Sequence, residues 1–311
     1  MARVLVTRDL PGTALDRLRE QHEVDLWAGE DRPPREQLMA RAARAEGLLS
    51  MLVDGVDSEL LGAAPALRAV ANYAVGTDNV DLAAATARGI PVGHTPDVLT
   101  GSTADLAVAL MLAIMRRLPE GERTVRDGRW RTWQPGARLG RDLHRSTVLV
   151  VGRGRIGDAV ARRVEGFGAE VLTAGRDHEL RPLLERADVV TLHCPLTPET
   201  RGLIGHEELR AMGPAAYLVN TARGPVVDSA ALGRALTEGL IAGAALDVTD
   251  PEPLPADDAL LTAPNLVVVP HIASATHHTR AAMADMAVDA LLAALAGERM
   301  RWCANPEVYA D

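Results

Sequence analysis

The stretch "STVLVVGRGRIGDAVARRVEGFG", residues 146–168, restricts the fold of this chain more than any other. Its apolar run, Val148 to Val151, has the length and the valine content of a buried strand. Gly152, Gly154 and Gly157 follow as G-x-G-x-x-G, and a helix-like segment opens directly after them. The first glycine permits a tight turn. The second lets backbone approach a pyrophosphate, and the third lets the helix pack closely on the strand. The helix N-terminus then faces the anion. A glycine turn alone says little, but one set between a strand and a helix points to dinucleotide binding. Arg153 stands where an apolar residue is common, although only its backbone is needed there.

Strand-like and helix-like runs alternate on both sides of this motif. Before it, residues 3–7, 46–50, 67–72 and 90–93 read as strands, with "ALDRLREQ" and "REQLMARAARA" as helices between them. A long helix is expected over 104–117, ended by Leu118-Pro119. From the motif onward, strands are expected at 148–151, 170–174, 188–193, 216–220, 242–247 and 266–269. The last is read as buried on both faces. Six strands suit one doubly wound dinucleotide-binding sheet. A final apolar helix, 280–296, has no strand partner of its own, so the chain is expected to return to its first domain. The expected division is 1–97 plus 276–311 for a substrate domain and 98–275 for a cofactor domain.

Composition removes several function classes. The chain has 311 residues and a net charge of −9, without a basic tail or stripe, which argues against nucleic acid as a partner. The start, "MARVLVTRDL", lacks the apolar core of a signal peptide, and the longest apolar run, near residues 106–115, is about half a membrane span. A cytoplasmic protein with no membrane partner is expected. Two cysteines, Cys194 and Cys303, provide neither a disulfide framework nor a metal cluster, and Cys194 reads as structural. All 33 basic residues are arginine. That excludes a Schiff-base lysine, a phosphate-loop lysine and any dehydrogenase chemistry that needs a catalytic lysine.

In an open parallel sheet, ligands bind beyond the carboxyl ends of the strands. Three chemically apt residues follow three such ends: Arg223 after "AAYLVN", Glu252 after "AGAALDV" and His271 after "LVVV". Any one of them could be an ordinary loop polar residue. Together they fit the reduction of a 2-oxo acid by hydride. Arg223 offers a planar fork that holds substrate oxygens and polarises the carbonyl. His271 serves as proton donor in reduction and base in oxidation. Glu252 can bond the other imidazole nitrogen, which sets the tautomer and favours imidazolium. His277 and His278, by contrast, read as solvated helix-start residues.

The ordered segments "NYAVGTDNVDL", "HTPDVLTGSTADLA", "GRGRIG", "LHCPLTPETRGLI", "NTARGPVVD", "ALDVTDPEPLP" and "PHIASAT" run through essentially the whole chain. They resemble the D-isomer-specific 2-hydroxyacid dehydrogenase family, and within it most closely the glyoxylate/hydroxypyruvate reductases. The resemblance implies an α/β fold of two doubly wound parallel-sheet domains, a Rossmann cofactor domain inserted into a flavodoxin-like substrate domain. It implies that Arg223, Glu252 and His271 are the catalytic set. It further implies that backbone at Val75 and Gly76 holds the substrate carboxylate, with Leu52 nearby. Thr103, Thr221, Ala222 and Asp247 would surround the nicotinamide. Arg155, Ile156, His193, Pro195 and Thr200 would line the rest of the cofactor. A homodimer is implied as well, built partly around "GRWRTWQPG"; Trp130 and Trp133 in that polar segment suit an interface or burial within one subunit.

Cofactor choice is read from "EVLTAGRDH", residues 170–178. The second strand of such a domain usually ends in an acid that bonds the ribose hydroxyls. Here Gly175 fills that place and Arg176 follows, which suits a 2′-phosphate. NADP(H) is the expected cofactor, with NAD(H) admitted because Asp177 lies one residue beyond. Two other functions share these motifs: a sister enzyme such as a phosphoglycerate dehydrogenase, and a nucleotide-sensing corepressor. "NYAVGTDNV" supplies no extra basic residue for a phosphorylated substrate, and the chain has no appended basic patch.

Overall fold

The computed structural model describes residues 1–29 and 31–310. It divides into two compact units, one made of Met1–Leu99 with the described residues from Ala275 onward, the other of Thr100–Ser274. The first unit opens with β1 (Arg3–Val6), α1 (Ala14–Gln21), β2 (Glu23–Leu26), α2 (Arg35–Ala42) and β3 (Gly47–Met51). It continues with α3 (Ser58–Ala63), β4 (Ala69–Tyr73), α4 (Leu82–Ala87) and β5 (Val92–Gly93). The five strands form a parallel sheet in the order β2-β1-β3-β4-β5. Central β3 is buried along its full length. Asp57 and Asp81 cap α3 and α4, each accepting from a first-turn N–H.

The sequence pattern did not reveal β2. Its "EVDL" carries two acids, which hides the apolar period. An edge strand tolerates such charge. β2 pairs only with β1, and Asp25 accepts from Arg3 at 3.2 Å and from Arg41 at 2.8 Å.

The second unit begins with α5 (Thr100–Met115) and α6 (Leu118–Arg126). The first of these was expected to run to Arg117 and to stop at Pro119. It ends earlier, Arg117 turns left-handed at φ 52°, and Pro119 lies in the first turn of a new helix. Proline lacks the N–H that a helix start leaves unpaired, so it opens a helix as readily as it ends one. Then follow β6 (Thr147–Val151), α7 (Arg155–Gly166), β7 (Glu170–Ala174), α8 (Leu180–Leu184), β8 (Val189–Leu192), α9 (His206–Met212), β9 (Tyr217–Asn220), α10 (Ser229–Glu238), β10 (Gly243–Leu246) and β11 (Leu266–Val268). The strands are all parallel, ordered β11-β10-β9-β8-β6-β7. Numbered within the sheet this is 2-1-3-4-5-6, a Rossmann-type sheet in which the order reverses between β6 and β8. α5 and α7 cover one face, while α8, α9 and α10 pack on the other. β11 lies at the edge; it packs on both faces as expected, Leu266 and Val268 against one core and Val267 with the following Val269 against the other, although each of its residues is only half buried.

The chain returns to the first unit through α11 (His277–Leu295), capped by Thr276, with His277 and His278 exposed in its first turn. α11 packs on β1, β3 and β4 within one core, and Gly93 carries no Cβ where Ala290 comes close. Beyond it, Trp302 and Ala304 pair antiparallel with the end of β5. No helix among the described residues is long and apolar enough to cross a membrane.

Candidate active site

The three glycines after β6 occupy three different environments. Gly152 has φ +103° and a Cβ there would press into the backbone of His193 and Cys194 at the end of β8. At Gly157 a Cβ would overlap the Gly152 carbonyl, so α7 sits as close to the loop as its backbone allows. Gly154, directly before α7, differs: nothing lies within 4 Å of where its Cβ would be. That open space at a helix N-terminus, edged by Arg155 and Ile156, fits a pyrophosphate.

The neighbouring strand ends complete this rim. β7 ends at Ala174, and Gly175 follows with its N–H donated to His178 Nδ1 at 3.2 Å. Arg176 is exposed at this corner; the hydrogen bond from Thr197 above all, and the charge of Arg176 least of all, hold the exposed Glu199 carboxyl below its ordinary value. Past β8, His193 is wedged between the Thr191 hydroxyl at 2.9 Å and the Thr221 hydroxyl at 3.3 Å. Burial pushes its imidazole down to about 3, so it is neutral and serves as a fixed strut between β8 and β9. Thr200 closes the next loop by donating to the Pro195 carbonyl at 2.6 Å.

Arg223, Glu252 and His271 are gathered by the ends of β9, β10 and β11. Gly224 has no room for a Cβ because the Thr249 carbonyl takes its place, so the loop with Arg223 lies against the loop with Glu252. Arg223 Nη1 donates to the Ala222 carbonyl at 2.8 Å. His271 Nδ1 meets Glu252 Oε1 at 2.6 Å, with their side chains 22% and 29% exposed, shielded yet open to a small molecule. Burial alone would raise the Glu252 carboxyl. The hydrogen bond and charge of His271, with a further contribution from Arg223, outweigh it and hold Glu252 below the ordinary carboxylate value. The arrangement is a charge-assisted acid–base pair with a guanidinium beside it.

His271 has a left-handed backbone, φ 52°, which few non-glycine residues adopt. Asp247 imposes it. This buried residue accepts the His271 N–H on its carbonyl at 2.9 Å and the N–H groups of Ile272 and Ala273 on its carboxylate at 2.6 and 3.0 Å. Burial raises the Asp247 carboxyl even so. The side chain expected beside a nicotinamide is therefore also the clamp of the histidine turn.

The D-isomer specific 2-hydroxyacid dehydrogenase NAD binding domain matches residues 108–273. A glyoxylate reductase of Korarchaeum cryptofilum is 48% identical across 98% of this chain and 96% of its own. The chain belongs to the D-isomer specific 2-hydroxyacid dehydrogenase family. Among solved structures, one from Thermus thermophilus superposes with a TM-score of 0.92 at 49% identity, covering 97% of this chain and 99% of that one. The NADPH-dependent glyoxylate/hydroxypyruvate reductase of Sinorhizobium meliloti, in complex with NADP and malonate, does so at 0.87 and 37% identity, covering 98% and 97%.

The remaining positions expected for this dehydrogenase family divide between the units. Thr103 is buried in the first turns of α5, and Thr221 and Ala222 are buried just past β9. Leu52 follows β3, and Val75 and Gly76 follow β4, on neighbouring strand ends of the first sheet. The sequence pattern gave no sign of the residues that hold these two turns. Asn72 and Asn79 pair their carboxamides, and Asn79 reaches the Met51 and Asp54 carbonyls at 3.1 and 2.9 Å. Both asparagines stand inside the quoted "NYAVGTDNV", but no spacing rule marks an amide pair.

Proposed function

We propose that this chain reduces a small 2-oxo acid, glyoxylate or hydroxypyruvate, to the D-2-hydroxy acid with a nicotinamide cofactor. The observation that carries the proposal is the 2.6 Å pair of His271 and Glu252 on the strand edge that also bears the glycine loop. Gly152, Gly154, Gly157 and the start of α7 would hold the pyrophosphate, and Thr103, Thr221, Ala222 and Asp247 would surround the nicotinamide. When bound, the reduced nicotinamide supplies the hydride. His271 would donate the proton that turns the carbonyl oxygen into a hydroxyl group, and is left as neutral imidazole. Because Glu252 occupies Nδ1, Nε2 is the nitrogen that serves the substrate. Arg223 polarises the carbonyl, and the turn at Val75 and Gly76 holds the carboxylate. Running backward, His271 is the base.

NADPH is the preferred cofactor in this reading. β7 ends without an acid, Gly175 leaves room, and Arg176 stands exposed where a 2′-phosphate would lie. The chain works as a homodimer, for which Trp130 and Trp133, 63% and 78% exposed, provide the apolar surface. The test is steady-state kinetics with NADPH and NADH against a panel of 2-oxo acids. Turnover of glyoxylate and hydroxypyruvate, a higher kcat/KM with NADPH, and a narrowed preference in Arg176→Ala are expected. No turnover of any 2-oxo acid overturns the activity; an equal or higher kcat/KM with NADH overturns the cofactor choice. Sedimentation of the wild type and of Trp133→Glu checks the dimer.

A further inference from the structure

The turn after β4 is held by its carbonyls, and this leaves its amides pointing the other way. The Val75 carbonyl faces His94 Nδ1 at 3.0 Å. A carbonyl only accepts, so His94 carries its proton on Nδ1 and donates it there. The Gly76 carbonyl accepts from Asn72 Nδ2 at 2.9 Å. Asn72 is fully buried, and its Oδ1 accepts from Ser50 Oγ at 3.3 Å and Asn79 Nδ2 at 3.2 Å. Asn79 in turn binds the turn after β3.

In a planar trans peptide the N–H points opposite the C=O. Fixing the Val75 carbonyl therefore aims the Gly76 N–H away from His94. Fixing the Gly76 carbonyl aims the Thr77 N–H away from Asn72. Among the described residues, neither N–H donates to any protein group. Both residues are half exposed. Two successive N–H groups in a turn, with no internal partner among the described residues, are donors that an anion can take up.

We propose that His94, Asn72 and Asn79 are positioning residues that present the N–H groups of Gly76 and Thr77 to the substrate carboxylate. This rests on the reading above that the turn at Val75 and Gly76 holds that group. Asn79 acts through Asn72 and also keeps the Leu52 turn in register with it. His94 acts alone on the Val75 carbonyl, so it can be altered while the buried asparagine pair stays intact.

The experiment uses the full chain, with glyoxylate as substrate and oxalate as an unreactive carboxylate probe. His94→Ala is expected to raise the glyoxylate KM and the oxalate inhibition constant together, by about tenfold or more, the size of one charge-assisted hydrogen bond set out of line. The cofactor KM stays within about twofold, since the glycine loop is untouched. His94→Asn, whose amide nitrogen falls near the place of Nδ1, restores both constants to within about threefold. A folded His94→Ala enzyme with wild-type constants overturns the proposal, as does a folded His94→Asn enzyme that is no better than alanine. If His94→Ala does not fold, His94→Asn decides by itself: near-wild-type constants support the role and a tenfold loss removes it. A wild type that reduces no 2-oxo acid brings down the functional reading, and this inference with it. A wild type that does, paired with an unresponsive His94→Ala, brings down this inference alone.

Discussion

The two sheets are wound alike but end in different chemistry. Through five strands both follow the order 2-1-3-4-5, so each reverses direction beside its first strand. In the second sheet that strand, β6, runs into Gly152 and a loop with open space at Gly154. In the first sheet the corresponding strand, β1, runs into Thr7, which is fully buried and donates to Asp54 Oδ2 at 2.5 Å. Asp54 is itself buried and also accepts the Met51 N–H at 2.8 Å. Here the end of the first strand is closed by buried hydrogen bonds where the second sheet has its open glycine loop. Winding settles where a ligand can lie, and the residues at the strand ends settle which ligand.

The sharpest break of this comparison is His271→Gln. It removes the proposed proton donor from the second unit while leaving the glycine loop intact. Turnover should fall about 10²–10⁴-fold, with the cofactor KM nearly unchanged. Retention of half the wild-type rate would take His271 out of the chemistry.

Next in size is a pair of glycine substitutions. Gly154→Ala meets nothing within 4 Å among the described residues, so thermal stability should hold while the cofactor KM rises about tenfold or more, as the methyl enters the proposed pyrophosphate space. Gly157→Ala collides with the Gly152 carbonyl and should lower stability as well, by about 1–3 kcal/mol. Equal melting temperatures for the two variants would show that the glycines do not differ as described.

The first sheet gives the counterpart. Thr7→Val removes one donor from the buried Asp54 carboxylate, so stability should fall by about 1–3 kcal/mol in urea titration. The cofactor KM should not move. A changed cofactor KM would mean that the first switch point takes part in cofactor binding after all.

The smallest effect is in the pH profile. Glu252→Gln deletes the carboxylate that meets His271 Nδ1, and the change should show in stability against pH. In the wild type the Glu252 carboxyl is depressed when folded, so its contribution is full above the ordinary carboxylate range and fades as pH falls through the depressed value. The glutamine variant should lose that acid-side fade. Urea titration at acid and neutral pH checks this: an unchanged acid-side fade in the variant would show that the fold does not hold Glu252 below its ordinary value.

Much of the second unit was legible because its signals are local. Apolar strands, glycine spacing and parallel winding together put every strand's carboxyl end on one edge, which brings Arg223, Glu252 and His271 to the same rim on the strength of residue order. The first unit was harder to read. β2 hides behind Glu23 and Asp25, whose charges an edge strand tolerates. The second unit misled once, at Pro119, which reads as a stop yet opens α6, since the same missing N–H suits both roles.

Residue order alone determined the alternation of strand and helix, the dinucleotide loop and the exclusion of lysine chemistry, because each depends on neighbours in the chain or on composition. Only the tertiary structure decided the left-handed turn at His271, the neutral strut at His193 and the amide pair of Asn72 and Asn79. Each of these forms across strand ends far apart in sequence, or between turns that only the folded sheet aligns. Asp247, for one, clamps residues 271–273 from a neighbouring strand, a contact that no periodicity records. The physical reason is the range of the interaction: hydrogen bonds between side chains and distant backbone depend on where the sheet places them, and the pattern of apolar residues fixes the sheet without naming those partners.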